Sequence, residues 1–223
     1  MLNRIVTSRE ALLMAAIFVL LGLVATRFPS FVAPSNLLAV FNDTSPLILL
    51  AIGQMIVILT KCIDLSVAAN LALTGMVVAM INVVAPDIPV PVILAVAICM
   101  GTLMGMFNGF LVWKLDIPPI VVTLGTMTIF RGIIFLISDG KWVNSHEMSE
   151  TFKAFPRTEI LGLPVMGWTA ILAIVLFSLV MTRTTIGRAF YAVGGNPHAA
   201  TYTGIEVGNP SFVHLPFPEP LLG

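Results

Sequence analysis

The sequence predicts an all-α protein, a polytopic transmembrane helix bundle of about six spans with its N-terminus in the cytoplasm. Three observations predict this class. Of 223 residues, 58% are hydrophobic and 10% are charged, whereas soluble domains run about 45–50% apolar and about 25% charged. Six apolar runs approach the roughly 20 residues that a helix needs to cross about 30 Å of hydrocarbon. Lysine and arginine are also shared unequally between the connectors.

The runs are Ala11–Phe28, Pro46–Thr60, Leu65–Val84, Pro91–Trp113, Ile117–Ile137 and Val165–Thr182. The first follows Arg4 and Arg9. A cleaved signal peptide would place a small-x-small site after it. Thr26-Arg27-Phe28-Pro29 stands there instead, so the run reads as a first transmembrane helix. The second run is short, and Leu37–Phe41 extends it through Asn42–Ser45 with Pro46 as a kink. The polar connector Asp139–Leu161 has room for a small amphipathic helix. Arg183–Gly208 is polar, and Pro210, Pro216, Pro218 and Pro220 exclude a helix from Asn209–Gly223. The expected organisation is a membrane region over 1–182, a cytoplasmic segment over 183–208 and an irregular tail over 209–223 that reads as out of frame.

With the N-terminus inside, Arg4, Arg9, Lys61, Lys114, Arg183 and Arg188 fall on the cytoplasmic side. Arg27, Lys141, Lys153 and Arg157 fall outside, the last three in the one loop that also holds Asp139, Glu147, Glu150 and Glu159.

Several function classes are disfavoured. A formal net charge of zero argues against nucleic acid as a partner. Cys62 and Cys99 lie in or beside apolar runs and suggest packing, not a disulfide framework. His146, His198 and His214 have no metal-ligand spacing, and no HExxH, CxxC or nucleophile triad is present. No metal site and no catalytic residue is expected. Gly140-Lys141 is followed by Trp142, so no phosphate-binding loop forms and the chain is not expected to hydrolyse ATP itself.

Inside the runs, each notable residue has two readings. Gly101, Gly105 and Gly109 share a helix face and would let a second helix approach closely, which is a packing role. Asp64 and Ser66 are placed to cap the third helix, with Lys61 pairing to Asp64 across the turn. An ion or proton relay is the alternative at Asp64, and it lacks a second acid. Arg131 is either a functional intramembrane charge or a side chain reaching for the outer interface. Gln54, Asn70, Thr74, Asn82, Asn108, Thr123 and Thr126 are uncharged and polar. Gln54, Asn70, Asn82, Asn108, Thr126 and Arg131 are candidates for the path of a hydroxyl-rich solute. Interhelical hydrogen bonding would use the same groups.

The most specific segment is Gly187–Ile205. It reads as two short helices with a break. Gly194-Gly195 stops the first, Asn196 caps the second, Pro197 suits its first position and Gly204 its C-terminal left-handed position. Such a rigid elbow can transmit a push from a partner; a surface linker is the rival.

This segment resembles the cytoplasmic coupling segment of ribose-type ABC importer permeases, with a pattern close to GRAxYAxGGNxxAAxxxGI. Ile63-Asp64-Leu65-Ser66-Val67, Asn36-Leu37-Leu38 and Ile117–Met127 also resemble family sequence, in the family's order. The resemblance covers roughly residues 10–208. It implies a permease that imports a monosaccharide by alternating access. Its partners would be a second permease copy or paralogue, two cytoplasmic ATPase subunits that bind ATP and Mg, a periplasmic sugar-binding protein and the lipid of a bacterial inner membrane. Gly194, Gly195, Asn196 and Gly204 would shape the element that docks on the ATPase, with Arg188 and Glu206 beside it.

Two departures stand out. Where the family commonly has two glycines before Ile-Asp-Leu-Ser, this chain has Lys61-Cys62, and with Ala68-Ala69-Asn70 it is most similar to the rhamnose-type branch. Family members also continue for several more spans, so a truncated permease is expected, with a non-transporting or regulatory fragment that still binds the ATPase as the alternative.

Overall fold

The computed structural model describes residues 9–196. The chain divides at Ser45 and Pro46 into two compact units.

In the first unit, Arg9–Arg27 forms α1 and a 3-10 turn follows over Pro29–Val32. Asn36 ties this turn down by donating its side-chain amide to the Phe31 carbonyl (2.8 Å). The next helix, α2, runs Pro34–Leu59 in 26 residues, so the expected extension of the short second run is present and Pro46 lies inside it. Pro46 has no N–H for the Asn42 carbonyl, a gap a long helix tolerates.

In the second unit, α3 (Val67–Val84), α4 (Val90–Leu115) and α5 (Pro119–Ser138) pack on one another. Their boundaries match the predicted runs within about two residues, the usual uncertainty of helix ends. The shared core is small: Ala69 and Leu73 of α3 and Phe130 of α5 are buried, flanked by Val77, Met100, Met104, Met127 and Ile134. The spacing 69–73–77 places the α3 contribution on one face. Most other large apolar side chains face outward, including Phe135 and Leu136. In lipid that exposure carries no penalty, and association rests on packing and interhelical hydrogen bonds.

Among the described residues five helices are long and apolar enough to cross a membrane, α2 to α5 and α7 (Val165–Arg183), and Ala11–Arg27 is a shorter apolar stretch. The expected six spans therefore correspond to five full-length helices and one short one. Helix ends follow from the local chemistry. Asp116 and Asp139 close α4 and α5 in the left-handed region, which aspartate tolerates better than most residues.

The connector after α5 is more structured than expected. A five-residue helix, α6 (Glu150–Ala154), runs into a 3-10 turn over Phe155–Arg157. Two-residue strands β1 (Glu159–Ile160) and β2 (Leu163–Pro164) then pair antiparallel. Leu161 and Gly162 make the turn between them with φ of 53° and 78°, the sign that tight hairpins require at both central residues. Trp168 at the start of α7 donates its indole N–H to the Ile160 carbonyl (2.8 Å) and pins the ribbon. This hairpin is a small addition to the all-α bundle expected from the sequence. It is local to one loop and leaves the bundle helical.

A final helix, α8 (Thr185–Gly195), packs against α7. The N-cap is Thr184, which the sequence reading missed. Its hydroxyl accepts from the Gly187 N–H (3.2 Å) and donates to the Val180 carbonyl (2.6 Å), joining the end of α7 to the start of α8. Gly194 and Gly195 complete the last turn of α8 and the helix stops at Asn196, one or two residues later than predicted. The expected second short helix, with Gly204 and Glu206, and the Pro-rich tail lie outside the described residues.

Candidate functional site at the inner end of the bundle

The break between α2 and α3 organises one end of the second unit. α2 closes in a Schellman motif: Lys61 N–H bonds the Ile58 carbonyl (2.9 Å) and Cys62 N–H bonds the Val57 carbonyl (3.1 Å). The residue after the helix must then take a left-handed conformation, and Lys61 does so with φ 61°. Glycine is the usual occupant; a residue with a Cβ pays about 1 kcal/mol or more there. The Lys61 ammonium is carried to the far side of the loop, where it donates to the Gly195 carbonyl at the C-terminus of α8 (3.3 Å). A cation there also meets the negative end of the helix dipole. Lys61 therefore reaches α8, and no bond to Asp64 accompanies it among the described residues, contrary to the expected pairing.

Backbones approach closely at two glycines of α8. A Cβ on Gly194 would run into the Leu59 carbonyl oxygen, and a Cβ on Gly187 would run into the Met181 backbone. α8 is thereby held against the ends of α2 and α7 with Ala189 and Val193 buried, while Arg188, Tyr191 and Gly195 stay exposed on its other face. Asn196, also exposed, continues in extended backbone, its N–H bonded to the Ala192 carbonyl. Tyr191 joins Arg188 at three-residue spacing, a neighbour the sequence reading did not single out although the spacing was visible.

Behind the loop lies a polar cluster. Asp64 Oδ1 accepts from both the N–H and the hydroxyl of Ser66 (2.7 Å each), an Asx turn that leads into α3. Asp64 thus orders the turn that precedes α3. Ser66 does not act as a side-chain cap: it is buried, and its hydroxyl accepts from Asn108 Nδ2 of α4 (2.8 Å). Gln54 of α2 donates to the Asp64 carbonyl (2.7 Å), and Thr123 of α5 donates to the Ile63 carbonyl (3.4 Å). Thr126, also buried, bonds the Thr123 carbonyl. Four helices thus converge on one irregular segment.

The other candidates are placed differently. Asn70 donates weakly to the Gly101 carbonyl (3.4 Å) and accepts from Thr74 (3.3 Å), so it stitches α3 to α4. Asn82 is fully buried at the opposite end, where Ser149 saturates it: Nδ2 donates to Ser149 Oγ (2.9 Å) and Oδ1 accepts from Ser149 N (2.8 Å). That clamp removes Asn82 from the path candidates. Arg131 is exposed and makes no hydrogen bond or ion pair among the described residues. The glycine stripe is uneven: a Cβ on Gly101 would lie 3.7 Å from Asn70 Oδ1, Gly105 faces open space, and Gly109 is buried. Only its two ends pack.

The basic residues sort as predicted within the second unit. Lys61, Lys114, Arg183 and Arg188 lie at the end that holds the loop and α8, whereas Lys141, Lys153 and Arg157 lie at the other. We call the first end inner on that ground. At the outer end a groove of about 400 Å³ is lined mainly by apolar residues such as Leu94, Met148, Phe152 and Val165. Its Lys153 is paired with Glu150 (2.7 Å), so it offers little convergent hydrogen bonding for a polar solute. Beside it, the Asn144 N–H and then the Asn144 side-chain amide hold the Glu147 carboxyl below its usual range.

A helical bundle with a broken, polar-lined segment and a docked amphipathic helix at its inner end is the architecture of a polytopic membrane protein. The chain belongs to the family described as branched-chain amino acid transport system / permease component, whose model matches residues 36–212. Its relatives include proteins described as ribose import and autoinducer 2 import permeases, and it is a multi-pass protein of the bacterial inner membrane. It is 39% identical over 191 residues to the ribose import permease protein RbsC of Bacillus subtilis, covering 86% of this chain and 59% of that protein. It is 34% identical over 206 residues to the autoinducer 2 import system permease protein LsrC of Enterobacter sp. (strain 638), covering 92% of this chain and 59% of that protein. The Haemophilus influenzae RbsC is 33% identical over 194 residues. The chain thus spans about three fifths of the length of these relatives. No solved structure gives a significant match.

Proposed function

We propose that this chain is the transmembrane permease subunit of an ATP-binding-cassette importer that moves a monosaccharide into the cytoplasm by alternating access. A second permease subunit, the same or a paralogue, completes the pore. Two copies of a cytoplasmic ATPase subunit bind ATP and Mg, and a periplasmic sugar-binding protein delivers the solute. The chain itself holds no cofactor in this reading. The observation that carries it is the docking of α8: Gly194 lies against the Leu59 carbonyl and Lys61 grips Gly195. A force applied to the exposed Arg188–Tyr191 face would reach the Lys61–Ser66 loop without passing through a flexible joint. From there it would reach Gln54, Asn108 and Thr126, the path candidates nearest that loop; Asn70 is a more distant one. Asn196, Gly204 and Glu206 would complete the docking element.

The finer substrate assignment, rhamnose, rests on Lys61-Cys62 and Ala68-Ala69-Asn70, while the relatives named above are ribose and autoinducer 2 permeases. Vesicles carrying this chain with the ATPase, the binding protein and any second permease test the reading. ATP-dependent accumulation of radiolabelled rhamnose, competed by excess unlabelled rhamnose more than by ribose, is expected. Binding of the ATPase without accumulation of any monosaccharide would replace the transport reading with that of a non-transporting partner.

A further inference from the structure

Donor and acceptor logic in the inner cluster leaves two oxygens unmatched. Ser66 Oγ donates its only proton to Asp64 Oδ1, so it can only accept from Asn108. The amide of Asn108 must therefore turn its nitrogen to Ser66, and Asn108 Oδ1 points away with no donor. Gln54 faces the same constraint. The Asp64 carbonyl is an acceptor, so Gln54 turns Nε2 to it and leaves Oε1 buried without a donor. Neither amide can be flipped without placing acceptor against acceptor. Asn108 is only 4% exposed and lies about 10 Å along α4 from its inner end, so bulk water does not reach it freely. A buried acceptor left empty is costly, and native interiors fill such positions with a ligand or ordered water.

We propose that the inner end of the bundle is a binding station for hydroxyl donors, in which Asn108 Oδ1 and Gln54 Oε1 each accept an O–H. Both orphans belong to side chains whose amide nitrogens are bonded to one turn, Asp64–Ser66. An anion is disfavoured there by two carbonyl-type oxygens and the Asp64 carboxylate. A cation would draw on Asp64, whose Oδ1 already accepts twice. An uncharged hydroxyl donor satisfies both oxygens without a charge to desolvate. The donor is either water or the hydroxyls of a polyol; the polyol source rests on the permease reading above, and the station itself does not.

The test is water-edited solid-state NMR on the full chain in lipid bilayers, with asparagine and glutamine side chains labelled. Asn82 is the internal control for Asn108, since it is also buried and Ser149 partners both its amide nitrogen and its carbonyl oxygen. Transfer from water to Asn108 Cγ and Gln54 Cδ is expected to exceed that to Asn82 Cγ several-fold. Added D-ribose or L-rhamnose that suppresses this transfer and moves both carbonyl shifts identifies the polyol as occupant. Transfer that ignores either sugar identifies resident water. Transfer at Asn108 and Gln54 no greater than at Asn82 overturns the proposal. That result would leave the permease reading standing, because the readout needs no transport, and failed uptake with a wet station would do the reverse.

Discussion

Two buried asparagines separate the two ends of the bundle. At the outer end, Asn82 gives and receives hydrogen bonds with Ser149, 67 residues away, so both its nitrogen and its oxygen have a partner. At the inner end, Asn108 makes one bond and keeps an orphan oxygen, beside a lysine held in a conformation that glycine would adopt more easily. The outer end is a finished clamp that fixes a loop. The inner end carries the strain and the unmet valence, which is where working parts tend to lie. Equal burial therefore does not mean equal role.

The largest expected effect is at α8. Gly194→Ala would drive a methyl into the Leu59 carbonyl, and overpacking of this kind costs about 1–3 kcal/mol. Because α8 can relieve it by undocking, we expect normal membrane insertion, retained ATPase binding and more than tenfold loss of ATP-driven uptake. Wild-type uptake in Gly194→Ala would remove α8 from the account.

The asparagines sharpen the comparison directly. Asn82→Leu strands the Ser149 N–H and is expected to cost about 2–3 kcal/mol in unfolding measured in bicelles. Asn108→Leu loses one bond but also removes an orphan acceptor, so its cost should stay below about 1 kcal/mol. Equal costs would erase the distinction between the ends.

Lys61 separates strain from grip. Lys61→Gly relieves the left-handed strain and is expected to gain about 1 kcal/mol while losing the bond to Gly195. Lys61→Met keeps the strain and loses the bond. Both should broaden the distance between spin labels on α8 and α2, and only Lys61→Gly should raise stability. An unbroadened distance in both would show that the ammonium holds nothing.

The smallest effect is at Glu147. Its lowered carboxyl, held first by the Asn144 N–H, contributes stability that is present above the ordinary carboxylate range and lost as pH falls through its own, lower value. The group is fully exposed, so the change is local. Amide exchange at Asn144 should speed up at acid pH and in Glu147→Gln, with the bundle's unfolding unchanged. A bundle that loosened along with it would contradict the local assignment.

The long helices were legible because apolar length alone sets them, and α3, α4, α5 and α7 fall where the runs place them. The rest was hidden for definite reasons. The Asn82–Ser149 clamp joins residues with no local relation, so no spacing announces it. The left-handed Lys61 contradicts the usual residue preference at its position, and only the departure from the family's glycine pair marked it. The hairpin turn at Leu161-Gly162 likewise puts a leucine where asparagine is normal. Thr184 is a conventional N-cap, but the glycines at the far end of α8 carry the stronger sequence signal. Ser66 was read as a cap from its place before a helix, whereas Asn108, distant in sequence, had already engaged its hydroxyl.

The central claim is that the exposed face of α8 meets an ATPase. A photoreactive benzoylphenylalanine at Tyr191, irradiated in native membranes, tests it most directly, with Val193 on the buried face as control. The account predicts an adduct between the Tyr191 position and a nucleotide-binding ATPase subunit, and none from Val193. Adducts from Tyr191 with lipid alone, in membranes that contain the ATPase, would contradict it.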